Sequence, residues 1–232
     1  PGKTATDRDW RKEVIHLVGG DDDFLASVID NYFIGYGKSI SDTPMSSKIS
    51  TFRRVNNPNF ANDMLKIAEK LDSGVGLITY FGHSSSSSID FNLSSPEEYK
   101  NSKGRYPIFI ANGCRAGNIF SWGSDRTRSK NISISDNFIF TKDKGAISFI
   151  SNSDLGVINN MHLLTRKFYE TINTIGYGKS IGEIQLEAVK SSWNVTREFD
   201  PLNRLNLEQS ILHSDPAIIP YPFPAPDYTT SN

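Results

Sequence analysis

The chain has 232 residues, 37% of them hydrophobic and 11% aromatic, with a formal net charge of -1 and a single cysteine. The near-neutral charge gives no footprint for nucleic acid or for a polybasic membrane face, and no apolar run approaches the roughly 20 residues of a spanning helix. One cysteine excludes an internal disulfide and any zinc site that needs two thiolates from this chain. The first residue, Pro1, points to an excised or processed piece, so a missing targeting segment carries no information about compartment.

Taken in chain order, Val14 to Val18 reads as a buried strand closed by Gly19-Gly20. Asp21, Asp22 and Asp23 then offer N-cap chemistry to a helix running to about Tyr36, with Phe24, Leu25, Val28, Ile29 and Tyr32 at helical spacing. Residues 35–47 read as loop, and Lys48 to Val55 as a short strand. Pro58 to Leu71 is amphipathic, with Gly74 as its C-cap. Gly76 to Phe81 is a buried strand that ends in Gly82-His83 and five serines, Ser84 to Ser88. A polar loop fills 84–106, and Ile108 to Ala111 is the next buried strand, ending in Asn112-Gly113-Cys114. Beyond the polar stretch 118–131 a short helix is expected over Ser133 to Thr141, and a third buried strand of this kind over Gly145 to Ile150. Val157 to Ile172 and Ser180 to Trp193 have helical period, and Pro216 to Pro226 reads as an extended surface tail. The order predicts an α/β fold with a mostly parallel sheet flanked by helices, one domain over 1–215 and a proline-rich tail over 216–232.

A parallel sheet places its chemistry beyond the carboxyl ends of its strands. Two buried strands here end in the residue types of a thiolate nucleophile and its proton partner, His83 and Cys114. An ordinary thiol is only a few per cent ionised at neutral pH. A neighbouring imidazole assists by acid–base catalysis worth ~10²–10⁴ in rate. Backbone N–H groups at Cys114 and just after His83, at Ser84, are placed to receive an oxyanion. Gly82 and Gly113 let the backbone approach a substrate closely. Singly, each residue has a plain structural explanation: a small buried hydrophobe for the cysteine, a hydrogen-bonded strand end for the histidine.

At these residues the chain resembles the gingipain family of cysteine peptidases, of the caspase-like clan. The resemblance runs through Tyr80-Phe81-Gly82-His83 and Asn112-Gly113-Cys114. It continues with Ser133 to Phe140 leading into Gly145 to Ile150, with Gly182-Glu183 through Ala188, and with Leu212 to Ala217. It is strongest toward the type IX secretion sortases of Bacteroidetes. It implies a caspase-like fold and a cysteine peptidase or sortase acting on protein or peptide substrates, extracellular or on the outer-membrane surface, alongside secretion-machinery components. By the same resemblance Cys114 is the nucleophile and His83 the proton donor. The family often has glycine after the histidine, where this chain has Ser84. It also has an N-terminal subdomain, which this chain is expected to lack, and an acid supporting the histidine, for which Asp21 to Asp23 are candidates against plain helix capping. Some gingipains bind calcium. Asp21–Asp23 and the loop 118–131 supply oxygens, but their spacing matches no EF-hand, so no metal or other cofactor is expected.

Trp122 reads as a pocket wall or a pin for its loop. Ser151 to Asp154 are expected to rim the cleft, with Ser153 and Asp154 facing substrate and helix capping the competing role for Asp154. Two rival functions stand beside the peptidase: a catalytically inactive caspase-like assembly protein, and a thiol hydrolase pairing Cys114 with His213 in the chain order of an α/β-hydrolase.

Overall fold

In the computed structural model, residues 9–41, 45–101, 104–120 and 132–221 are described. Trp122 therefore lies outside the described residues. Six strands form one sheet in the order β2-β1-β3-β4-β5-β6. They are β1 (Glu13–Val18), β2 (Lys48–Arg53), β3 (Leu77–Phe81), β4 (Ile108–Asn112), β5 (Ser148–Asn152) and β6 (Ser210–His213). The first five are parallel to one another, and β6 runs antiparallel to β5.

Among the described residues six α-helices accompany them: α1 (Asp23–Ser41), α2 (Phe60–Ser73), α3 (Ile134–Phe140), α4 (Ile158–Ile172), α5 (Ile181–Thr196) and α6 (Pro201–Gln209). Strand side chains alternate between two cores, as the period of two requires. Val14, Val18, Leu77, Phe81, Ile108 and Ile110 pack with Phe33, Phe168 and Ile184 of α1, α4 and α5. Ile15, Leu17, Ile78, Tyr80, Phe109 and Phe149 pack with Ile67 of α2 and Phe138 of α3. Each strand of the parallel core is thus covered on both faces, which is why the sequence shows unbroken apolar runs there.

Local chemistry sets the ends of several elements. Ser180 and Glu183 close a capping box on α5, Ser133 accepts from the Asp136 N–H at the start of α3, and Asp200 caps α6 with Pro201 at its first position.

Four expectations are corrected. Residues 35–41 are helix rather than loop: α1 runs on through Gly35 and Gly37, and a Cβ on Gly37 would sit 2.9 Å from Ile49 Cδ1, so glycine lets the helix lie against β2. The strand expected at Gly145 starts three residues later. Gly145 has φ +80°, and a Cβ there would stand 2.2 Å from Phe138 O, so it serves the turn out of α3. Ser151 and Asn152 consequently belong to β5 and are buried rather than lining a rim. The start of the expected tail is part of the folded body. Pro216 O and Ile218 O accept from the N–H groups of Gly182 and Ile181, and Tyr221 is buried. Both α6 and β6 are additions to the elements read from sequence.

Candidate active site

His83 and Cys114 occupy matched positions. Phe81 at the end of β3 is in register with Asn112 at the end of β4, and each candidate residue lies two residues further on. The Gly82 N–H donates to Asn112 O at 3.0 Å, carrying the pairing one residue past the strand. Ser84 Oγ donates to Cys114 O at 2.7 Å, so the loop after the histidine is tied to the cysteine itself. The two loops approach so closely that a Cβ on Gly113 would lie 2.2 Å from Ser84 Oγ and 3.0 Å from Gly82 O.

The loop after His83 folds back as a narrow hairpin. The Asp90 N–H donates to His83 O and the Ser85 N–H to Ser88 O, with Ser84 opposite Ile89 between these rungs. Ser84 and Ile89 are therefore the non-hydrogen-bonded pair, whose N–H groups point out of the ribbon. The returning strand lies toward β1, where Asp90 meets Gly20. The free side of Ser84 thus faces the Cys114 loop.

Cys114 is half-buried, with Sγ 4.0 Å from Gly156 O. Beneath it, Asn112 Oδ1 accepts from Thr165 Oγ1 of α4 at 2.8 Å. Beyond it, Arg115 takes a positive φ of 61°, and its N–H and Nε donate to Asp154 O and Oδ1, each at 3.0 Å. That hydrogen bond holds the Asp154 carboxyl below the usual carboxylate range. Asp154 thus already has a cationic partner in this chain. The cap expected of it falls elsewhere, since α4 begins only after Val157. Ser153 is drawn to the sheet edge, its N–H donating to Gln209 O.

The three aspartates after β1 divide their work. Asp21 Oδ2 lies 3.3 Å from His83 Nε2. Asp22 Oδ1 accepts from the Leu25 N–H in the first turn of α1, and Asp23 pairs with Arg53 and Asn56. Asp21 and His83 face each other across the crevice between β1 and β3, where the connections leaving β1 and β3 lead in opposite directions along the sheet. Three residues that the sequence did not single out for the site stand behind this pair: Tyr80, Asp90 and Arg54. Their polar contacts span up to 70 residues of chain, and no local pattern announces them.

His213 does not join the site. It pairs with Phe149, which is in register with Phe109, five residues before Cys114. The His213 ring is engaged by the Gly117 backbone rather than by Cys114. A recess of about 540 Å³ opens at the opposite, amino edge of the sheet among Trp10, Glu13, Lys70 and Arg105, away from these residues. Among the described residues no cluster of three or more His, Cys, Asp or Glu side chains is arranged to hold a metal ion, and no helix is long and apolar enough to cross a membrane.

No curated protein sequence matches the chain. Among solved structures, it superposes on the Arg-specific cysteine proteinase gingipain R (RgpB) with a TM-score of 0.66 at 13% identity, covering 92% of this chain and 48% of that one. A complex of the Porphyromonas gingivalis RgpB pro- and mature domains gives a TM-score of 0.67 at 13% identity, covering 92% and 49% respectively. The chain spans about half the length of these structures. The sequence pattern of peptidase family C25 matches residues 3–221, nearly the whole chain. With this match on a mostly parallel sheet of the gingipain type, the chain belongs to peptidase family C25, the gingipain family.

Proposed function

We propose that the chain is the catalytic part of a cysteine endopeptidase in which Cys114 is the nucleophile, His83 the proton carrier and Asp21 the carboxylate that orients the imidazole. The observation that supports this reading is the strand register: Phe81 pairs with Asn112, and His83 and Cys114 each follow two residues later. Cys114 Sγ attacks the scissile carbonyl as thiolate, and the carbonyl π electrons move to oxygen. The N–H groups of Ser84 and Cys114 receive that oxyanion; a donor of this kind is worth ~10²–10³ in turnover. The tetrahedral adduct collapses with cleavage of the C–N bond, and the departing amine takes its proton from the His83 imidazolium. Water, deprotonated by His83, then attacks the thioester and releases the acid and the thiolate. An amine in place of water would make the same acyl-enzyme a transpeptidase, as in a sortase. The family resemblance favours a cell-surface setting and protein substrates.

The Cys114–His213 hydrolase draws no support from the register, since the two residues lie at different levels of the sheet. A scaffold without activity is separated by experiment. A peptidyl acyloxymethyl ketone series is incubated with the protein, and the adduct is mapped by mass spectrometry. The peptidase reading expects a covalent adduct on Cys114 that competes with peptide cleavage, both lost in Cys114→Ala. Cleavage that persists in Cys114→Ala would refute it.

A further inference from the structure

The His83–Asp21 pair is open to water. Its side chains are 59% and 76% exposed. Exposed pairs of this kind are weak, too weak to hold an imidazole in one orientation against its own rotamer freedom. The rigidity has another source one layer below.

Asp90 sits there with its side chain only 15% exposed. Its Oδ2 accepts from the Gly20 N–H at 2.9 Å and, more weakly, from the His83 N–H at 3.4 Å, with Arg54 Nη2 at 3.5 Å. Its Oδ1 lies 2.5 Å from the Tyr80 hydroxyl, which also meets His83 O. Burial and then the charge of Asp90 raise the Tyr80 pKa far above that of an ordinary phenol, so the hydroxyl remains a donor. Arg54 completes the arrangement: Nη2 donates to Gly20 O at 2.6 Å and stands 3.6 Å from Asp21 Oδ1. The backbone is shaped to admit this carboxylate. A Cβ on Gly19 would fall 2.3 Å from Asp90 Oδ1, and one on Gly82 2.9 Å from it. One carboxylate therefore grips the loop that carries Asp21 and the loop that carries His83 by their own backbone.

Resting on the peptidase reading above, we infer that Asp90, braced by Tyr80 and Arg54, is a positioning residue for catalysis: it locks the β1 and β3 loops together so that Asp21 meets His83. It touches neither substrate nor the reacting atoms and acts through the pair. A misplacement on the order of 1 Å in such a pair is worth ~10²-fold in rate.

Backbone hydrogen exchange and a double-mutant cycle test this. Asp90→Asn keeps the shape but puts an amide where only acceptors fit. It is expected to speed exchange at the Gly20 and His83 amides and to lower kcat about 10–100-fold while leaving KM within about threefold. Asp21→Asn alone should cost about tenfold, but in the Asp90→Asn background less than about threefold, because both act through one geometry. Full additivity, or an unchanged kcat in folded Asp90→Asn, would overturn the inference. Should Asp90→Asn not fold, Tyr80→Phe removes one donor and leaves the carboxylate. It is expected to lower kcat about 3–10-fold, again non-additively with Asp21→Asn, and an unchanged kcat overturns the inference here too. The two failures stay distinct. Cleavage indifferent to Cys114→Ala refutes the peptidase, whereas the amide exchange rates decide the clamp without reference to activity.

Discussion

Two histidines on neighbouring strands show how one sheet separates structure from chemistry. His16 lies in the middle of β1 and is fully buried, stacked on Phe33 at 4.4 Å between centroids, with Nε2 3.0 Å from the Tyr169 hydroxyl. That hydroxyl also bonds Thr79 at 2.7 Å on β3. Burial lowers the His16 pKa to about 3, so this imidazole is neutral in the working range and serves as a hydrogen-bonding plate in the core. His83 lies two residues beyond the end of β3, exposed to water and facing the Asp21 carboxylate. The same residue type is packing inside the strand and, in the proposed mechanism, the proton carrier beyond its end. The difference is access to water and to a counter-charge.

The sharpest way to break this contrast is at the catalytic edge itself. Gly113→Ala would thrust a methyl group within 2.2 Å of Ser84 Oγ and 3.0 Å of Gly82 O. Cleavage should fall by ~10²-fold or more, measured as kcat/KM on a fixed peptide, and wild-type turnover would mean that the two loops do not need their close contact. Next is the core histidine. His16→Ala removes a buried ring and a partner of Tyr169, and should destabilise by about 2–4 kcal/mol in urea unfolding. The folded fraction should retain wild-type kcat. A large loss of kcat would show that His16 acts in the chemistry after all.

Acid titration comes third. The folded pKa of His16 is depressed, so its unfolded form, with a pKa near 6.5, binds the proton more tightly. Stability is then complete above about pH 6.5 and is lost as the pH falls toward about 3, by at most about 1.4 kcal/mol per pH unit from this residue. His162, lowered to about 4 by burial and then by Arg166, adds to the same limb. His16→Phe should flatten the dependence, and an unchanged slope would assign it to other groups. The smallest effect is expected at Ser84. Ser84→Ala removes the hydrogen bond to Cys114 O but keeps the backbone N–H, so turnover should fall only ~3–10-fold, in line with the ~1 kcal/mol of one such bond. A loss of several orders of magnitude would make the hydroxyl itself a reacting group.

The placement of His83 and Cys114 just past two neighbouring strand ends was legible because each is announced locally, by an apolar run that breaks into glycine. The supporting shell was not. Asp90 stands between Ile89 and Phe91 in a serine-rich loop, and nothing within that loop signals that Gly20, Tyr80 and Arg54 converge on it. Asp21 was one of three equivalent-looking aspartates, and only the packing of α1 against β2 assigns Asp23 to Arg53 and leaves Asp21 for the histidine. Glycine misled in one place. Gly35 and Gly37 imitate a loop, while both lie inside α1 and Gly37 lets that helix approach β2. The α6–β6 segment escaped notice for another reason. Its four strand residues are only half-buried, and its helix buries two asparagines, Asn203 and Asn206, so neither shows the expected hydrophobic period.

The most direct test of the account is peptide cleavage by His83→Ala beside wild type, with a melting curve on each. The account predicts a folded variant with an unchanged melting temperature and a kcat reduced by ~10²–10⁴, since the ring is exposed and only its proton chemistry is removed. A folded His83→Ala that cleaves peptides at the wild-type rate would contradict the pairing of His83 with Cys114 and the function built on it.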